Sequence, residues 1–225
     1  SVGKIIAEKA APKLCPVTLE LGGKNPNIIM SDADLDIAIQ GVIDGMRYTR
    51  QGQACTAGSR VYIQEKIYDK VINGAVEKLS KLKMGNALDE GSDIGAIISE
   101  EQLKRTLHYM DIAKQTSSAK VVHGGNQPTG GDYKNGFFYE PTLMSGVPVD
   151  SPVCQEEIFG PVACAIPFKT FEEVMQSAND TPFGLSAVLW TQNLSRALEF
   201  VEDIEAGFVQ VNQCVAPRAN VSYGG

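Results

Sequence analysis

The chain has 225 residues, of which 43% are hydrophobic and 21% are charged, and its formal net charge is −7. This composition is typical of a globular domain with a sizeable core, and it argues against intrinsic disorder. A negative net charge without a cluster of lysines and arginines argues against a nucleic-acid partner. The sequence contains no apolar run of transmembrane length and no signal-peptide pattern, so we expect no membrane partner and a cytoplasmic location.

Five cysteines occur at irregular spacing, and neither a Cys-x-x-Cys pair nor a Cys/His cluster offers a set of metal ligands. We therefore expect no metal site, and reduced thiols of the kind that persist in the cytoplasm. The two histidines, His108 and His123, have no neighbour at ligand spacing, so Ser-His or Cys-His catalysis has little support.

Strands and helices are predicted to alternate along the chain. Residues 1–11 read as a helix that Pro12 ends. Short apolar runs bounded by turn residues predict strands at 16–21, 27–30, 60–64, 120–122, 162–168, 186–190 and 208–211. Helical periodicity predicts helices from a cap at 31–34 to about 46, and at 67–82, 100–114, 171–178 and 194–204. The pattern predicts an α/β fold with a mainly parallel twisted sheet flanked by helices, whose ligands gather at the carboxyl ends of the strands.

Cys55 lies in a loop of small residues, with Gly52 and Gly58 three positions to either side. Nothing bulky in the adjoining sequence would bury the thiol, and an accessible thiolate is a strong nucleophile. Most free cysteines are small buried hydrophobes, so the loop alone leaves both interpretations open. Of the other cysteines, Cys15, Cys154 and Cys164 lie in or beside apolar strands, so we expect Cys55 to be alkylated fastest.

Two further stretches combine a carboxylate with glycines. Glu20 is followed by Leu21, Gly22, Gly23 and Lys24, and burial of such a carboxylate could make it a general base. Alone, it would equally well be an exposed glutamate before a turn.

In the second stretch, residues 155–161, Glu157 and Phe159 precede a Gly-Pro turn. A carboxylate there could accept hydrogen bonds from ribose hydroxyls, and the ring could pack against a nicotinamide. An ordinary acidic turn ahead of a buried strand is the alternative.

Together, Glu-Leu-Gly-Gly-Lys at 20–24, Gly-Gln-Ala-Cys at 52–55 and Glu-Glu-Ile-Phe-Gly-Pro at 156–161 closely resemble motifs of the NAD(P)-dependent aldehyde dehydrogenase superfamily. Residues 179–187 and 207–212 are also similar to family segments. The resemblance implies that Cys55 attacks an aldehyde to give a thiohemiacetal, whose oxyanion the Cys55 backbone N–H helps to stabilise. Hydride transfer to the nicotinamide then leaves a thioester, which water activated by Glu20 hydrolyses to a carboxylic acid.

The resemblance also implies a cofactor site for NAD or NADP. Glu157 would hold the nicotinamide ribose, and Phe159 would pack near the nicotinamide. Gln102 and Arg105 are similar by position to a Gln and a Lys that reach the cofactor ribose, although Arg changes the geometry. Leu21 and Gly22 are assigned to the cofactor site as well.

Members of the family are about twice as long as this chain. The expected organisation is a remnant of the cofactor-binding domain at 1–19 and a catalytic domain at 20–225. The chain alone is then expected to fold without useful turnover, and the full-length protein to form a homodimer or homotetramer that acts on a small-molecule aldehyde. Residues 213–220 are the one local stretch expected to line the substrate tunnel. One alternative is a CoA-acylating relative, which the presence of Glu20 disfavours. The other is a catalytically silent binding or structural protein, which the presence of both Cys55 and Glu20 disfavours.

Overall fold

The computed structural model describes residues 2–214, 220, 223 and 224, with the backbone alone at position 132. In this part of the chain the strands are β1 Pro26–Ile29, β2 Arg60–Gln64, β3 Lys120–His123, β4 Thr142–Ser145, β5 Val162–Phe168, β6 Ser186–Trp190 and β7 Phe208–Val211. The helices are α1 Val2–Ala10, α2 Leu35–Gly45, α3 Tyr68–Leu79, α4 Glu100–Gln115, α5 Pro152–Gln155, α6 Phe171–Asn179 and α7 Leu194–Asp203. Short 3-10 turns lie at Ala11–Lys13, Tyr48–Arg50, Glu65–Ile67 and Gly131–Asn135.

The strands form one sheet in the order β3-β4-β5-β2-β1-β6-β7. Every neighbouring pair is parallel except β3 and β4 at one edge, which are antiparallel. The prediction of a mainly parallel sheet flanked by helices is therefore confirmed. The order places β5, β2 and β1 side by side in the middle of the sheet, which decides where the functional residues meet.

Helices cover both faces of the sheet, so side chains that alternate along a central strand enter two different cores. In β2, Val61 and Ile63 pack in the core under α2 and α3, whereas Tyr62 packs in the core under α4, α6 and α7. All three are at most 1% exposed. Within the described ranges, no helix is long and apolar enough to cross a bilayer.

Two predictions about the elements were wrong. Residues 16–21 form no strand, because in the described part of the chain no neighbouring segment pairs with them, and most of their side chains are exposed. Residues 142–145 were not predicted as a strand, yet they form β4 by pairing with β3 on one side and β5 on the other. The short helix α5 was also not predicted; it begins after Ser151, whose hydroxyl accepts a hydrogen bond from the Val153 N–H.

Candidate active site

The three motifs lie just before three neighbouring parallel strands. Glu20 lies six positions before β1 begins, Cys55 five before β2, and Glu157 five before β5. Because adjacent parallel strands begin at the same edge of a sheet, nearly equal offsets bring the three motifs together. The candidate residues thus lie at the amino ends of the strands, and not at the carboxyl ends, where we expected ligands to gather.

These residues line one open cleft with a volume of about 660 Å³. The sequence-predicted residues on its walls are Glu20, Leu21, Gly22, Cys55, Glu157 and Phe159. The cleft is also lined by Arg50 and Tyr223, which the sequence did not indicate, and by Gln53, Ala54 and Thr56, which adjoin the cysteine but were not predicted as site residues. The cleft brings a thiol, two carboxylates and an exposed aromatic ring within reach of one small molecule.

Cys55 is half-buried in a loop whose path depends on Gly52. Gly52 has a φ of +63°, and a Cβ there would collide with the Gly160 carbonyl, so only glycine fits. The pKa of the Cys55 thiol is raised, first by burial and then by the hydrogen-bonding contact and negative charge of Glu20. The hydroxyl of Tyr223, 3.4 Å from the sulfur, opposes this shift. The structure therefore disfavours the thiolate of Cys55, and a carboxylate shares the cleft with the thiol.

Tyr223 is a functional neighbour that the sequence gave no reason to select. Its ring packs edge-on against Phe208 in β7, with 5.7 Å between the ring centroids. Burial raises the pKa of its phenol, and contacts with Cys55 and Glu20 raise it further. The neutral hydroxyl is thus a hydrogen-bonding partner for the thiol and for Glu20.

Glu157 is fixed by the glycines of the first motif. Its Oε1 accepts a hydrogen bond from the Gly23 N–H at 3.1 Å. A Cβ on Gly22 would lie 2.5 Å from Oε2, so the absence of a side chain at Gly22 makes room for the carboxylate. Phe159 follows with a φ of +60° and 36% of its surface exposed, which presents its ring to the cleft.

Gln102 and Arg105 reach this segment from α4, but they hold its backbone. The Gln102 side-chain amide donates to the carbonyls of Ile158 and Phe159, both at 2.9 Å. Arg105 donates to the Glu157 carbonyl at 2.6 Å and to the Ile158 carbonyl at 3.3 Å. In this structure both side chains fix the loop that carries Glu157 and Phe159, and contact with a cofactor ribose stays a prediction for them.

Lys24, the last residue of the first motif, and Asn25, which follows it, hold the site in place, and neither was predicted as a site residue. The Lys24 ammonium is buried and donates to the Val153 carbonyl in α5 at 2.7 Å. The Asn25 amide donates to the carbonyls of Cys55 at 2.7 Å and Ala57 at 3.0 Å. One continuous segment therefore holds both the cysteine loop and the helix ahead of Glu157.

The remaining cysteines behave as expected with one exception. Cys154 and Cys164 are buried, as predicted, but Cys15 is exposed because residues 16–21 form no strand against the sheet. Accessibility alone therefore does not distinguish Cys55 from Cys15. The stretch expected to line the substrate tunnel, 213–220, lies largely outside the described residues.

Comparison with known proteins identifies the family. The model of the aldehyde dehydrogenase family matches residues 1–225. The chain is 42% identical over 231 residues to an aldehyde dehydrogenase of Deinococcus radiodurans, an alignment that covers 100% of this chain and 44% of that protein.

Solved structures of aldehyde dehydrogenases are also similar to this chain. An aldehyde dehydrogenase of Bacillus cereus in complex with NAD⁺ superposes with a TM-score of 0.91 at 37% identity, covering 99% of this chain and 44% of that one. A betaine aldehyde dehydrogenase of Staphylococcus aureus in complex with NAD⁺ gives a TM-score of 0.92 at 35% identity, with 99% and 44% covered. The chain thus spans less than half the length of these relatives. On the match over its whole length, it belongs to the aldehyde dehydrogenase family.

Proposed function

We propose that this chain supplies the nucleophile, the general base and the nicotinamide-ribose contacts of an NAD-dependent enzyme that oxidises an aldehyde to a carboxylic acid. The observation that carries the proposal is the single open cleft that the Cys55 thiol, the Glu20 carboxylate, Glu157 and Phe159 line together. A nucleophile and a base that share one open cleft are the minimum that covalent catalysis followed by hydrolysis requires.

The residues present fit a nicotinamide nucleotide. Only Oε1 of Glu157 accepts the Gly23 N–H, and the missing side chain at Gly22 leaves space beside Oε2. Glu157 would hold the ribose hydroxyls there, and the Phe159 ring would bound the nicotinamide. When bound, the nicotinamide supplies a hydride acceptor. NAD is favoured because the two solved relatives described above are NAD⁺ complexes.

The chemistry of the chain's own residues follows from their placement. Glu20 takes the proton of the Cys55 thiol and, being exposed, releases it to solvent. The thiolate attacks the carbonyl carbon of the aldehyde, and the Cys55 backbone N–H donates to the oxyanion of the resulting thiohemiacetal. Transfer of the hydride of that carbon to a nicotinamide bound beside Phe159 would leave a thioester on Cys55. Glu20 then removes a proton from water, which attacks the thioester, releases the carboxylic acid and regenerates the thiol.

Two other functions were open from the sequence, and the same site weighs against both. A CoA-acylating enzyme needs no carboxylate to activate water at the thioester, and the presence of Glu20 in the same cleft as Cys55 weighs against it. A silent relative has no need for a thiol that contacts a base in an open cleft. Neither observation bears on which aldehyde is oxidised; the betaine aldehyde enzyme is one of several relatives at similar identity.

The test uses p-nitrophenyl acetate, an activated ester that acylates a reactive thiol without a nicotinamide nucleotide. It is carried out in a Cys15→Ser background, because Cys15 is exposed. We expect the acetyl group on Cys55, and we expect Glu20→Gln to lengthen the lifetime of the acyl-enzyme about 10²–10⁴-fold, as loss of a general base does.

Intact mass and peptide mass spectrometry follow the acyl group. Glu90→Gln, which removes an exposed carboxylate far from the cleft along the chain, is the matched control and should leave the lifetime unchanged. Acetylation of Cys154, Cys164 or Cys214 in preference to Cys55 would contradict the nucleophile assignment. An acyl-enzyme lifetime that is the same in Glu20→Gln and Glu90→Gln would contradict the assignment of the base.

A further inference from the structure

Asn25 has a buried side-chain amide, and both of the hydrogen bonds that it donates go to the cysteine loop. It is 3% exposed, and its Nδ2 donates to the carbonyl of Cys55 at 2.7 Å and to that of Ala57 at 3.0 Å. Its Oδ1 accepts the Ser186 N–H at 2.9 Å, where β6 begins. Two acceptors at one end and a donor at the other fix the orientation of the amide, so the loop is tied directly to the sheet.

The Cys55 carbonyl belongs to the peptide that joins Cys55 to Thr56. In a trans peptide the C=O and N–H point in opposite directions. With the carbonyl held against Asn25, the Thr56 N–H points away from Asn25, and Thr56 lines the cleft. The interaction of the Thr56 N–H with the Cys55 sulfur favours the thiolate.

The glycine before Lys24 is part of the same arrangement. A Cβ on Gly23 would collide with the Cys55 carbonyl and lie 2.7 Å from Oδ1 and 2.8 Å from Nδ2 of Asn25. The carbonyl and the amide therefore meet only because residue 23 lacks a side chain. The hydrogen bond between the Asn25 amide and the Cys55 carbonyl therefore depends on glycine at position 23.

We propose that Asn25 is a positioning residue for the nucleophile: by holding the Cys55 carbonyl it aims the Thr56 N–H at the sulfur and stabilises the thiolate. The inference rests on the proposed function, in which Cys55 is the nucleophile. Asn25 does not touch the reacting atoms; it acts through the peptide between Cys55 and Thr56.

Other charged or titratable groups also face the thiol or share its cleft. Tyr223 lies 3.4 Å from the sulfur, the charge of Glu20 acts on it, and Arg50 and Glu157 line the cleft. Asn25 is neutral and lies on the opposite side of the peptide, so its substitution leaves these charges in place. A change in the titration of Cys55 on substitution of Asn25 then reports the orientation of the peptide.

The experiment compares Asn25→Ala with Asn27→Ala in the 225-residue Cys15→Ser chain. Asn27 is a matched control, because it is also a fully buried amide that donates to a carbonyl, that of Gly41 at 3.1 Å, and accepts from the Trp190 indole at 2.7 Å. The pH dependence of Cys55 alkylation by iodoacetamide is followed by peptide mass spectrometry. We expect Asn25→Ala to raise the midpoint by about one unit, which is the effect of losing one hydrogen bond to a charged group. Asn27→Ala should leave the midpoint where it is in the parent.

A second measurement needs no variant of Asn25 and covers the case in which Asn25→Ala does not fold. In the ¹⁵N-labelled parent chain, the Thr56 amide resonance should titrate with the midpoint of Cys55 alkylation. The inference would be overturned if the Thr56 amide resonance did not titrate with the midpoint of Cys55 alkylation. It would also be overturned if a folded Asn25→Ala variant and the parent had equal midpoints of Cys55 alkylation. The proposed function would survive either result if the ester still acylates Cys55, and it would fail by itself if the parent is not acylated there.

Discussion

Lys24 is a buried lysine beneath the candidate active site. We predict that its replacement by methionine changes the free energy of unfolding, and that the sign of this change depends on pH. The side chain is 2% exposed, and Nζ donates to the Val153 carbonyl at 2.7 Å. Burial lowers its pKa from 10.5 to about 8, against the charges of Cys164 and Cys154, which oppose the shift. The folded protein therefore loses this proton near pH 8, whereas the unfolded chain keeps it up to about pH 10.5.

Between these two values the unfolded state binds more protons, so the contribution of Lys24 to stability rises with pH. A shift from 10.5 to about 8 corresponds to roughly 3 kcal/mol, present as a penalty below pH 8 and relieved above pH 10.5. Lys24→Met keeps the length of the side chain, removes that penalty and leaves the Val153 carbonyl without its donor, at a cost of about 1–3 kcal/mol. The variant should equal or exceed the parent in stability by up to about 2 kcal/mol at pH 7, and fall about 1–3 kcal/mol below it at pH 10.5.

The assay is denaturant unfolding with a reductant present at several pH values from 7 to 10.5. Buried tyrosines with raised pKa values make the folded protein less stable over part of this range, but they are the same in both proteins and cancel in the difference. The Cys154 and Cys164 thiols interact with the Lys24 charge and therefore form part of the difference. Lys70→Met, which changes an exposed lysine on α3, is the control and should give a difference that does not depend on pH. A difference between Lys24→Met and the parent that is constant from pH 7 to 10.5 would refute the argument.

Further predictions concern the same cleft. Gly22→Ala places a Cβ 2.5 Å from Oε2 of Glu157 and should weaken the Gly23–Glu157 hydrogen bond, lowering the free energy of unfolding by about 1–3 kcal/mol. Gly95→Ala, where a Cβ meets nothing closer than 3.5 Å, should cost less, and equal losses would contradict the contact. We also expect the 225-residue chain, mixed with aldehydes and millimolar NAD, to turn over far below the typical enzyme value of about 10 s⁻¹, because Glu157 and Phe159 serve one end of the dinucleotide. Absorbance of the reduced cofactor measures this, and sustained turnover near that value would show a more complete cofactor site.

Much of the fold was readable from the sequence because its central strands are short apolar runs bounded by turn residues. The strands at 60–64, 162–168, 186–190 and 208–211 have the predicted bounds. The runs at 16–21 and 142–145 show the limit of this signal. The first has strand-forming residues but finds no partner in the described part of the chain, and the second becomes β4 because β3 and β5 lie on either side of it. Strand formation depends on pairing, which a local pattern does not contain.

The candidate residues Cys55, Glu20 and Glu157 could be assigned from the sequence only by taking their motifs together, because each motif alone left a structural alternative open. The residues that hold them in place could not be assigned in this way. Asn25 and Tyr223 act through contacts with residues 30 and 168 positions away in sequence, and nothing in their own neighbours indicates those contacts.

The location of the site at the amino ends of the strands follows from which loops carry the motifs. In open parallel sheets ligands usually gather at the carboxyl ends, where the connections leave each strand. Here the functional residues belong to the connections that enter β1, β2 and β5, five or six positions before each strand begins. Such offsets can be read from the sequence once the strands are assigned, but the meeting of the three motifs also requires that β5, β2 and β1 be neighbours. That order is set by tertiary pairing, so the sequence could give the distance of each motif from its strand and could not give the distance between the motifs.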